Sequence, residues 1–219
     1  MQKNWNILSS DNSVVTALAK ALNVSEIVGH LLVLRGITTY DEAKLFFRPE
    51  ITHLHDPFLM KDMQKAVDRI QTAITNGEKV LVYGDYDVDG TTSVAMMYSF
   101  LKKQVKEIEY YIPCRYEEGY GISLKGIDYA KENNFALIIA LDCGIRAVNQ
   151  VDYANEKGVN FIICDHHNPG EKVPDAVAIL NPKQADCNYP YKELSGCGVG
   201  FKLIQAFCQK NEIDFSEII

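Results

Sequence analysis

Three groups of acidic and histidine side chains in this sequence could bind a metal ion. In chain order they are Asp85, Asp87 and Asp89, then Asp142, and then Asp165, His166 and His167. Neighbouring carboxylates repel one another unless a positive charge lies between them, so a cluster of them indicates a cation. Carboxylate and imidazole ligands together suit Mn²⁺ or Mg²⁺ and, less well, Zn²⁺. The residue types therefore predict a divalent-metal site, which could activate water for hydrolysis.

The elements that must bring the three groups together are strands of one sheet. Apolar runs end at Gly84, Leu141 and Cys164, directly before the three groups, and helical patterns separate these runs. Strands that alternate with helices predict an α/β fold with a parallel sheet covered by helices on both faces. Since ligands bind beyond the carboxyl ends of such strands, we expect the three groups to converge on one edge of the sheet.

Each of these residues alone has a plainer interpretation. Asp89 or Asp142 could simply cap the helix that follows it. His30, His53 and His55 lie in the N-terminal part and its loop, where a structural role is expected. The Asp-His-His triplet after a strand is harder to explain in this way, because the chain has only five histidines. Three unrelated caps at three strand ends would be a poor explanation of the whole pattern.

The chain before the sheet is predicted to be helical. Apolar residues recur three or four positions apart, and the expected N-caps include Ser13, Ser25 and one of the two threonines at 38 and 39. From residue 79 onward, short β-branched runs replace this pattern. We predict that residues 1–76 form a helical segment packing on the core and that residues 77–219 form the parallel-sheet domain.

The bulk composition excludes several classes of protein. A net charge of −7 argues against a protein that coats nucleic acid by bulk charge, but it leaves room for a metal-mediated phosphate site. The six cysteines include no C-x-x-C pair, so we expect reduced thiols and no structural zinc. No apolar stretch approaches the roughly 20 residues of a membrane span, and the start lacks the plan of a signal peptide. We therefore expect a cytoplasmic protein without a membrane partner.

Two known motifs compete for the stretch GDYDVDGTT. An EF-hand loop fits D-x-D-x-D-G, but it needs a glutamate where Met96 stands, and it follows a helix rather than a strand. The phosphatases of the haloacid dehalogenase type open with D-x-D-G-T after a strand, as Asp87 to Thr92 do here, and use the first aspartate as nucleophile. Those enzymes need a late acidic pair, where this chain has CDHHNPG. The first motif is rejected and the second stays an alternative.

DYDVDG, a lone aspartate at a strand end, and DHH follow one another in the order that resembles the DHH phosphoesterase family. From about residue 25, the segments LLVLRGITTYDEAKLFF, CRYEEGYGIS and ILNPKQADCNYPYKELSGCGVGFKLI are also similar to the RecJ branch of that family. The resemblance implies metal-dependent phosphodiester hydrolysis, as a 5′→3′ exonuclease on single-stranded DNA in recombination and repair. Hydrolysis of short oligonucleotides or pyrophosphate, as in other branches, stays an alternative, and so does an inactive scaffold that binds a partner.

The resemblance also implies a role for each motif residue. Asp87 would bind one Mn²⁺ or Mg²⁺ ion and Asp89 a second, with Asp142 bridging the two and His166 on the second ion. Both aspartates are expected at the extended end of the first strand. His167 would face the scissile phosphate and donate a hydrogen bond that strengthens as charge develops.

Two acids next to these ligands receive less direct roles from the resemblance. Asp165 would orient the histidines without binding the metal ion itself. Asp85 is either a ligand of the first ion or a hydrogen-bond acceptor beside it, and the residues alone do not decide between the two.

Three residues are candidates for DNA contacts. Arg115 would bind a backbone phosphate and Tyr120 would stack on a base, which are the usual means of gripping a single strand. The alternative for Arg115 is a salt bridge to Glu117 or Glu118. Ser195 opens the last helix, whose N-terminus could face a phosphate, although a plain N-cap explains it as well.

One ligand of the family pattern is missing from this sequence. It is an aspartate beyond GVGFKLIQAF, and Asp214 comes too soon to take its place. The last residues, NEIDFSEII, carry no stop signal, so we expect a longer protein with a second catalytic domain and an OB-fold. The resemblance implies single-stranded DNA as substrate, and a single-strand-binding protein and a helicase as partners. This segment alone is expected to bind metal weakly and to be nearly inactive.

Overall fold

The structure is a computed structural model that describes Asn6 and residues 8–215. The expectations about a signal peptide and about the missing stop signal depend partly on residues 1–5, 7 and 216–219, which lie outside that part. The chain forms two compact units, Met1–Leu54 and His55–Ile219. Among the described residues no single helix is long and apolar enough to span a membrane. Helices Asn12–Leu22 and Glu26–Val33 meet the length and composition test only as a pair, with a bend of 118° between them.

The first unit is helical, as predicted. Its helices are α1 (Asn12–Leu22), α2 (Glu26–Val33) and α3 (Tyr40–Phe47), followed by a short 3₁₀ turn (Ile51–His53). Helix α1 begins at Asp11, whose carboxylate accepts the amide of Ser13, so the predicted cap at Ser13 is wrong by two residues. Helix α3 begins at Thr39, which forms a capping box with Glu42. The small core of this unit contains Leu18, Leu32 and Ala43.

The second unit is built on a five-stranded parallel sheet, which confirms the predicted fold class. Its strands are β1 (Lys79–Gly84), β2 (Ile108–Tyr111), β3 (Phe135–Leu141), β4 (Asn160–Cys164) and β5 (Ala178–Leu180). Their order across the sheet is β2-β1-β3-β4-β5. Four strands end in register, and their last residues across the sheet are Gly84, Leu141, Cys164 and Leu180. The residue that follows each of them therefore starts from the same edge.

Helices cover both faces of this sheet. They are α4 (Met63–Asn76), α5 (Val88–Leu101), α6 (Leu124–Glu132), α7 (Val148–Glu156) and α8 (Gly196–Lys210). Along β3, Leu137 and Ile139 pack with α4, α5 and α8, whereas Ile138 and Ala140 pack with α6 and α7. Because consecutive side chains of a strand face opposite sides, a strand buried on both faces reads as a continuous apolar run.

Helix α4 belongs to the unit that contains the sheet. Its buried residues Ala66, Val67 and Ile70 are part of the core on one face of the sheet. The sequence placed this helix in the N-terminal segment, with a division after residue 76, whereas the compact units divide after Leu54. The packing of the whole N-terminal segment on the core stays a prediction.

Helix α5 begins directly after Asp87. The carboxylate of Asp87 accepts the amide of Gly90 at 2.9 Å and so caps the helix, which places Asp89 in its first turn. The two acids therefore do not continue the strand, as the sequence analysis assumed. A Cβ atom at Gly90 would lie 2.5 Å from the carbonyl oxygen of Asp85, so the turn from strand to helix requires glycine there.

Candidate metal site

The site lies at the edge where four strands end in register. The residues that follow the strand ends there are Asp85, Asp142, Asp165 and Asn181. All four are almost completely buried, with at most 1% of their surface exposed. One ligand atom from each of Asp142, His166 and His167 lies within 4.8 Å of the other two. The structure thus brings the second and third groups of the sequence together.

Asp142 occupies the centre of this group. Its φ of 60° is left-handed, and its amide donates to the carbonyl of Cys164 at 2.8 Å. Its Oδ1 lies 3.1 Å from Nε2 of His166. This buried oxygen has no hydrogen-bond partner of strict geometry among the described residues. A Cβ atom at Gly196 would lie 2.4 Å from the same oxygen. The start of α8 can approach the carboxylate only because glycine stands there.

The electrostatics of Asp142 favour a cation. Burial is the main cause that raises the pKa of Asp142 to about 8, and the negative charges of Asp89, Asp87 and Asp165 add to it in that order of importance. A buried carboxylate among like charges is costly to ionise. A divalent cation would supply both the missing partner of Oδ1 and the missing positive charge, so these donors fit a metal ion of the Mn²⁺ or Mg²⁺ class.

Asp89 is held at the N-terminus of α8. Its two carboxylate oxygens accept the amides of Gly196 and Cys197, each at 2.7 Å. Oδ2 of Asp89 lies 3.7 Å from Nε2 of His166, which connects the first sequence group to the other two. The free amides and the dipole of a helix start stabilise a negative charge. The Asp89 side chain is therefore held in place by a helix more than 100 residues further along the chain.

Ser195 acts as a plain N-cap in this structure. Its hydroxyl accepts the amide of Gly198 at 3.1 Å. Since the amides of Gly196 and Cys197 bind Asp89, the first three amides of α8 are all in use. The phosphate contact predicted for Ser195 would have to displace one of these bonds.

Asp165 holds both histidines. Its carboxylate accepts the amides of Ile145 at 2.9 Å, His166 at 2.7 Å and His167 at 3.1 Å, and it lies 2.7 Å from Nδ1 of His167. Because a carboxylate only accepts, Nδ1 carries the proton and Nε2 is the ring nitrogen left for other contacts. Asn181 donates to the carbonyl of His167 at 2.9 Å. Asn181 is not among the residues predicted from the sequence, although it follows its strand as the acids follow theirs.

Asp85 is close to the group but not part of it. One of its oxygens accepts the amide of Tyr86 at 2.6 Å, and the other is buried without a partner of strict hydrogen-bond geometry in the described part of the chain. Burial raises the pKa of Asp85, while the amide of Tyr86 and the hydroxyl of Tyr120 lower it. Its role as ligand or acceptor stays open.

A series of ring contacts runs from the exposed guanidinium of Arg115 to His167 at the candidate metal site. The guanidinium carbon of Arg115 lies 4.4 Å from the ring centre of Tyr86. The rings of Tyr86 and Tyr120 are 5.8 Å apart, and those of Tyr120 and His167 are 6.5 Å apart. Tyr120 is 57% exposed. Arg115 and Tyr120, two of the three residues predicted to contact DNA, thus lie on one path from the surface to the histidines. Tyr86, which was not predicted, lies between them.

A cavity of about 480 Å³ opens beside His167. Its wall includes Tyr120, Ile122, Arg146 and Asn168, and Nε of Arg146 donates to the carbonyl of Asn168 at 2.8 Å. A cavity of this size can hold part of a substrate next to the candidate metal ligands. No sequence pattern indicated it, because the wall comes from three separate loops.

A family model described as the DHH family, N-terminal domain, matches residues 79–219. The chain belongs to the DHH family. This membership confirms the resemblance inferred from DYDVDG and DHH, and it removes the phosphatase of the haloacid dehalogenase type as an alternative.

Two similar proteins within the DHH family are exonucleases. The chain is 45% identical over 202 residues to the single-stranded-DNA-specific exonuclease RecJ of Bacillus subtilis (strain 168), which covers 92% of this chain and 26% of that protein. A crystal structure of exonuclease RecJ bound to manganese matches with 30% identity and a TM-score of 0.64, covering 69% of this chain and 38% of that one. The resemblance to the RecJ branch is confirmed. The chain spans about a quarter of the length of the curated relatives that it matches.

The fold agrees with a further member of that branch. The crystal structure of RecJ from Thermus thermophilus in complex with Mn²⁺ matches with a TM-score of 0.72 and 24% identity, covering 93% of this chain and 28% of that one. At this level of identity the likeness supports the fold alone.

Proposed function

We propose that this chain is the metal-binding catalytic part of an exonuclease that hydrolyses single-stranded DNA with Mn²⁺ or Mg²⁺. The observation that carries the proposal is the convergence of Asp142, His166 and His167 within 4.8 Å, at the strand edge of a DHH domain. The RecJ relatives, one of which was crystallised with manganese, support this substrate and this metal.

The chain offers ligands for more than one ion. Asp142 and His166 would hold a metal together with Asp89, and Asp87 would hold a second ion that shares Asp142. Bound divalent ions would activate water, neutralise the phosphate and hold the leaving oxygen. Asp85 would bind the same ion as Asp87 or orient the ligands of that ion. The unpartnered Oδ1 of Asp142 supports this assignment, because a buried oxygen without a partner is rare in native proteins.

The remaining predicted residues would act on the DNA itself. His167, held through Nδ1 by Asp165, would as an imidazolium donate a hydrogen bond from Nε2 to an oxygen of the scissile phosphate. Arg115 would bind a backbone phosphate and Tyr120 would stack on a base, with Ser195 as a weaker phosphate contact. The 5′→3′ direction, a role in recombination and repair, a cytoplasmic location, and a single-strand-binding protein and a helicase as partners belong to the same proposal.

Cleavage assays on the complete protein that contains this chain test the proposal. A single-stranded oligonucleotide labelled at either end, the matching duplex, a dinucleotide and pyrophosphate are compared in Mn²⁺, in Mg²⁺ and in EDTA. We expect cleavage of the long single strand from its 5′ end, and a loss of about 1000-fold or more in EDTA that added Mn²⁺ restores. Hydrolysis of the small substrates alone would favour another branch of the DHH family. An intact protein that cleaves nothing and binds no Mn²⁺ would favour a scaffold.

A further inference from the structure

Glu118 organises the loop that carries Arg115 and Tyr120. Its carboxylate accepts three hydrogen bonds: from the hydroxyl of Tyr111 at 2.9 Å, from the amide of Cys114 at 2.9 Å and from the hydroxyl of Ser123 at 2.5 Å. Tyr111 ends strand β2, Cys114 opens the loop, and Ser123 caps helix α6. One carboxylate therefore ties together the strand before the loop, the start of the loop and the helix after it.

The backbone conformation of loop 114–121 depends on hydrogen bonds of this kind. Gly119 and Gly121 have φ values of 81° and 84°, which favour glycine. Apart from the chain neighbours, none of the described atoms lies within 4 Å of where a Cβ atom of either glycine would be, so the space on that side of each residue is open. At the far end, the hydroxyl of buried Tyr83 donates to the carbonyl of Gly121 at 2.8 Å and accepts the amide of Ser123 at 3.1 Å. Hydrogen bonds thus hold both ends of the loop.

Glu117, the acid next to Glu118 in the sequence, makes different contacts. Glu117 is exposed and forms a salt bridge of 2.8 Å with exposed Lys125. Within the described part of the chain Arg115 forms a salt bridge with neither acid, and its guanidinium lies over Tyr86 instead. The alternative that sequence analysis left open for Arg115 therefore does not occur. The Glu118 carboxylate therefore accepts hydrogen bonds that fix the loop and does not pair with Arg115.

The hydrogen bonds that Glu118 accepts favour its negatively charged form. Burial alone would raise the pKa of Glu118, but the hydrogen bonds from Cys114, Ser123 and Tyr111 outweigh it and lower the pKa. All three groups donate to the carboxylate. An amide of the same shape would turn an N–H toward at least one donor, and a half-buried donor that loses its acceptor is costly.

We propose that Glu118 is a positioning residue for single-stranded DNA, which holds loop 114–121 so that Arg115 and Tyr120 stay beside the metal site. This inference rests on the proposed function for its ligand, while the state of the loop can be measured without DNA. The hydrogen bonds that the structure shows for the Glu118 carboxylate go to Tyr111, Cys114 and Ser123, none of which is a candidate metal ligand. The loss of this carboxylate should therefore weaken DNA binding and leave metal binding unchanged.

The test compares Glu118→Gln with Glu117→Gln in the complete protein. Fluorescence anisotropy with a labelled oligothymidine in EDTA measures DNA affinity, and calorimetry measures Mn²⁺ affinity. Limited trypsin digestion measures cleavage after Arg115 against cleavage after Lys131. We expect Glu118→Gln to weaken DNA binding about tenfold and to speed cleavage after Arg115 by a similar factor. Mn²⁺ affinity and the melting profile of the rest of the chain should stay within about twofold and a few degrees. Glu117→Gln should change none of these.

A further variant asks whether Glu118 acts through the loop. In an Arg115→Ala, Tyr120→Ala background, Glu118→Gln should change DNA affinity by less than about twofold, because the side chains that it positions are gone. Equal DNA affinities for the two single glutamine variants would overturn the proposal, and so would a parallel loss of Mn²⁺ and DNA binding in Glu118→Gln. If the parent protein binds no single-stranded DNA, the proposed function fails. The digestion then decides alone whether Glu118 holds the loop.

Discussion

Replacing Asp142 by asparagine is expected to lower kcat/KM for metal-dependent DNA cleavage by about 1000-fold or more, because several kcal/mol of transition-state stabilisation come from metal ions. The asparagine side chain would keep the shape but lose the charge of the carboxylate that lies 3.1 Å from His166. Mn²⁺ affinity, measured by calorimetry, should fall together with activity. The matched control is Asp152→Asn on helix α7, which removes an exposed carboxylate and should leave both properties unchanged.

The same substitution should stabilise the metal-free protein. Burial, together with the charge of Asp89 and its neighbours, raises the pKa of Asp142 from 3.8 to about 8. The folded state therefore holds this proton more tightly than the unfolded chain does. Its contribution to stability is full below about pH 4 and is lost as the pH rises to about 8. In EDTA at pH 8, Asp142→Asn should raise the unfolding free energy by about 1 kcal/mol or more, and the gain should shrink toward pH 5.

Chemical denaturation at both pH values, with and without Mn²⁺, measures this effect. In saturating Mn²⁺ the order should reverse, because only the parent protein gains the binding free energy of the ion. An Asp142→Asn protein that is less stable than the parent in EDTA at pH 8 would show that the carboxylate serves the fold rather than a cation.

Replacing Asp165 by asparagine is expected to damage both activity and stability. The carboxylate accepts bonds from Ile145, His166 and His167, and an amide would turn an N–H toward at least one of these donors. We expect kcat to fall by about 10–100-fold, the range found for groups that orient metal ligands. The unfolding free energy should fall by about 1–3 kcal/mol, the cost of an unsatisfied buried donor.

Steady-state kinetics and chemical denaturation of Asp165→Asn measure these losses. Asp175→Asn is the matched control, since its carboxylate is exposed and the Asn155 side chain contacts only its backbone carbonyl. If Asp165→Asn lost stability but kept full kcat on the remaining folded protein, the orientation of His167 through Nδ1 would not matter for catalysis.

The sheet and its functional edge were predictable because the information is local. Strand β3 is apolar at every position from Phe135 to Leu141, which a strand buried on both faces requires. The acids that follow such strands must share an edge once the strands are parallel. The register that aligns Gly84 with Leu141, and Leu141 with Cys164, then sets Asp85, Asp142 and Asp165 side by side.

The contacts that hold these residues in place were not predictable, because they join distant parts of the chain. Asp89 binds amides of α8 at positions 196 and 197, and nothing near Asp89 in the sequence selects that partner. The roles of Glu117 and Glu118 could not be separated either, since both are acids in the same short stretch. Only the packing of β2 against α6 decides which of them meets Tyr111 and Ser123.

The anomalous scattering of Mn²⁺ in crystals of the complete protein tests the central claim most directly. The claim is that the acids and histidines at this strand edge form a metal site. It predicts a strong anomalous peak within about 2.5 Å of both the Asp142 carboxylate and the His166 ring. Crystals at saturating Mn²⁺ that show no peak there, or that place manganese only at other carboxylates, would contradict it.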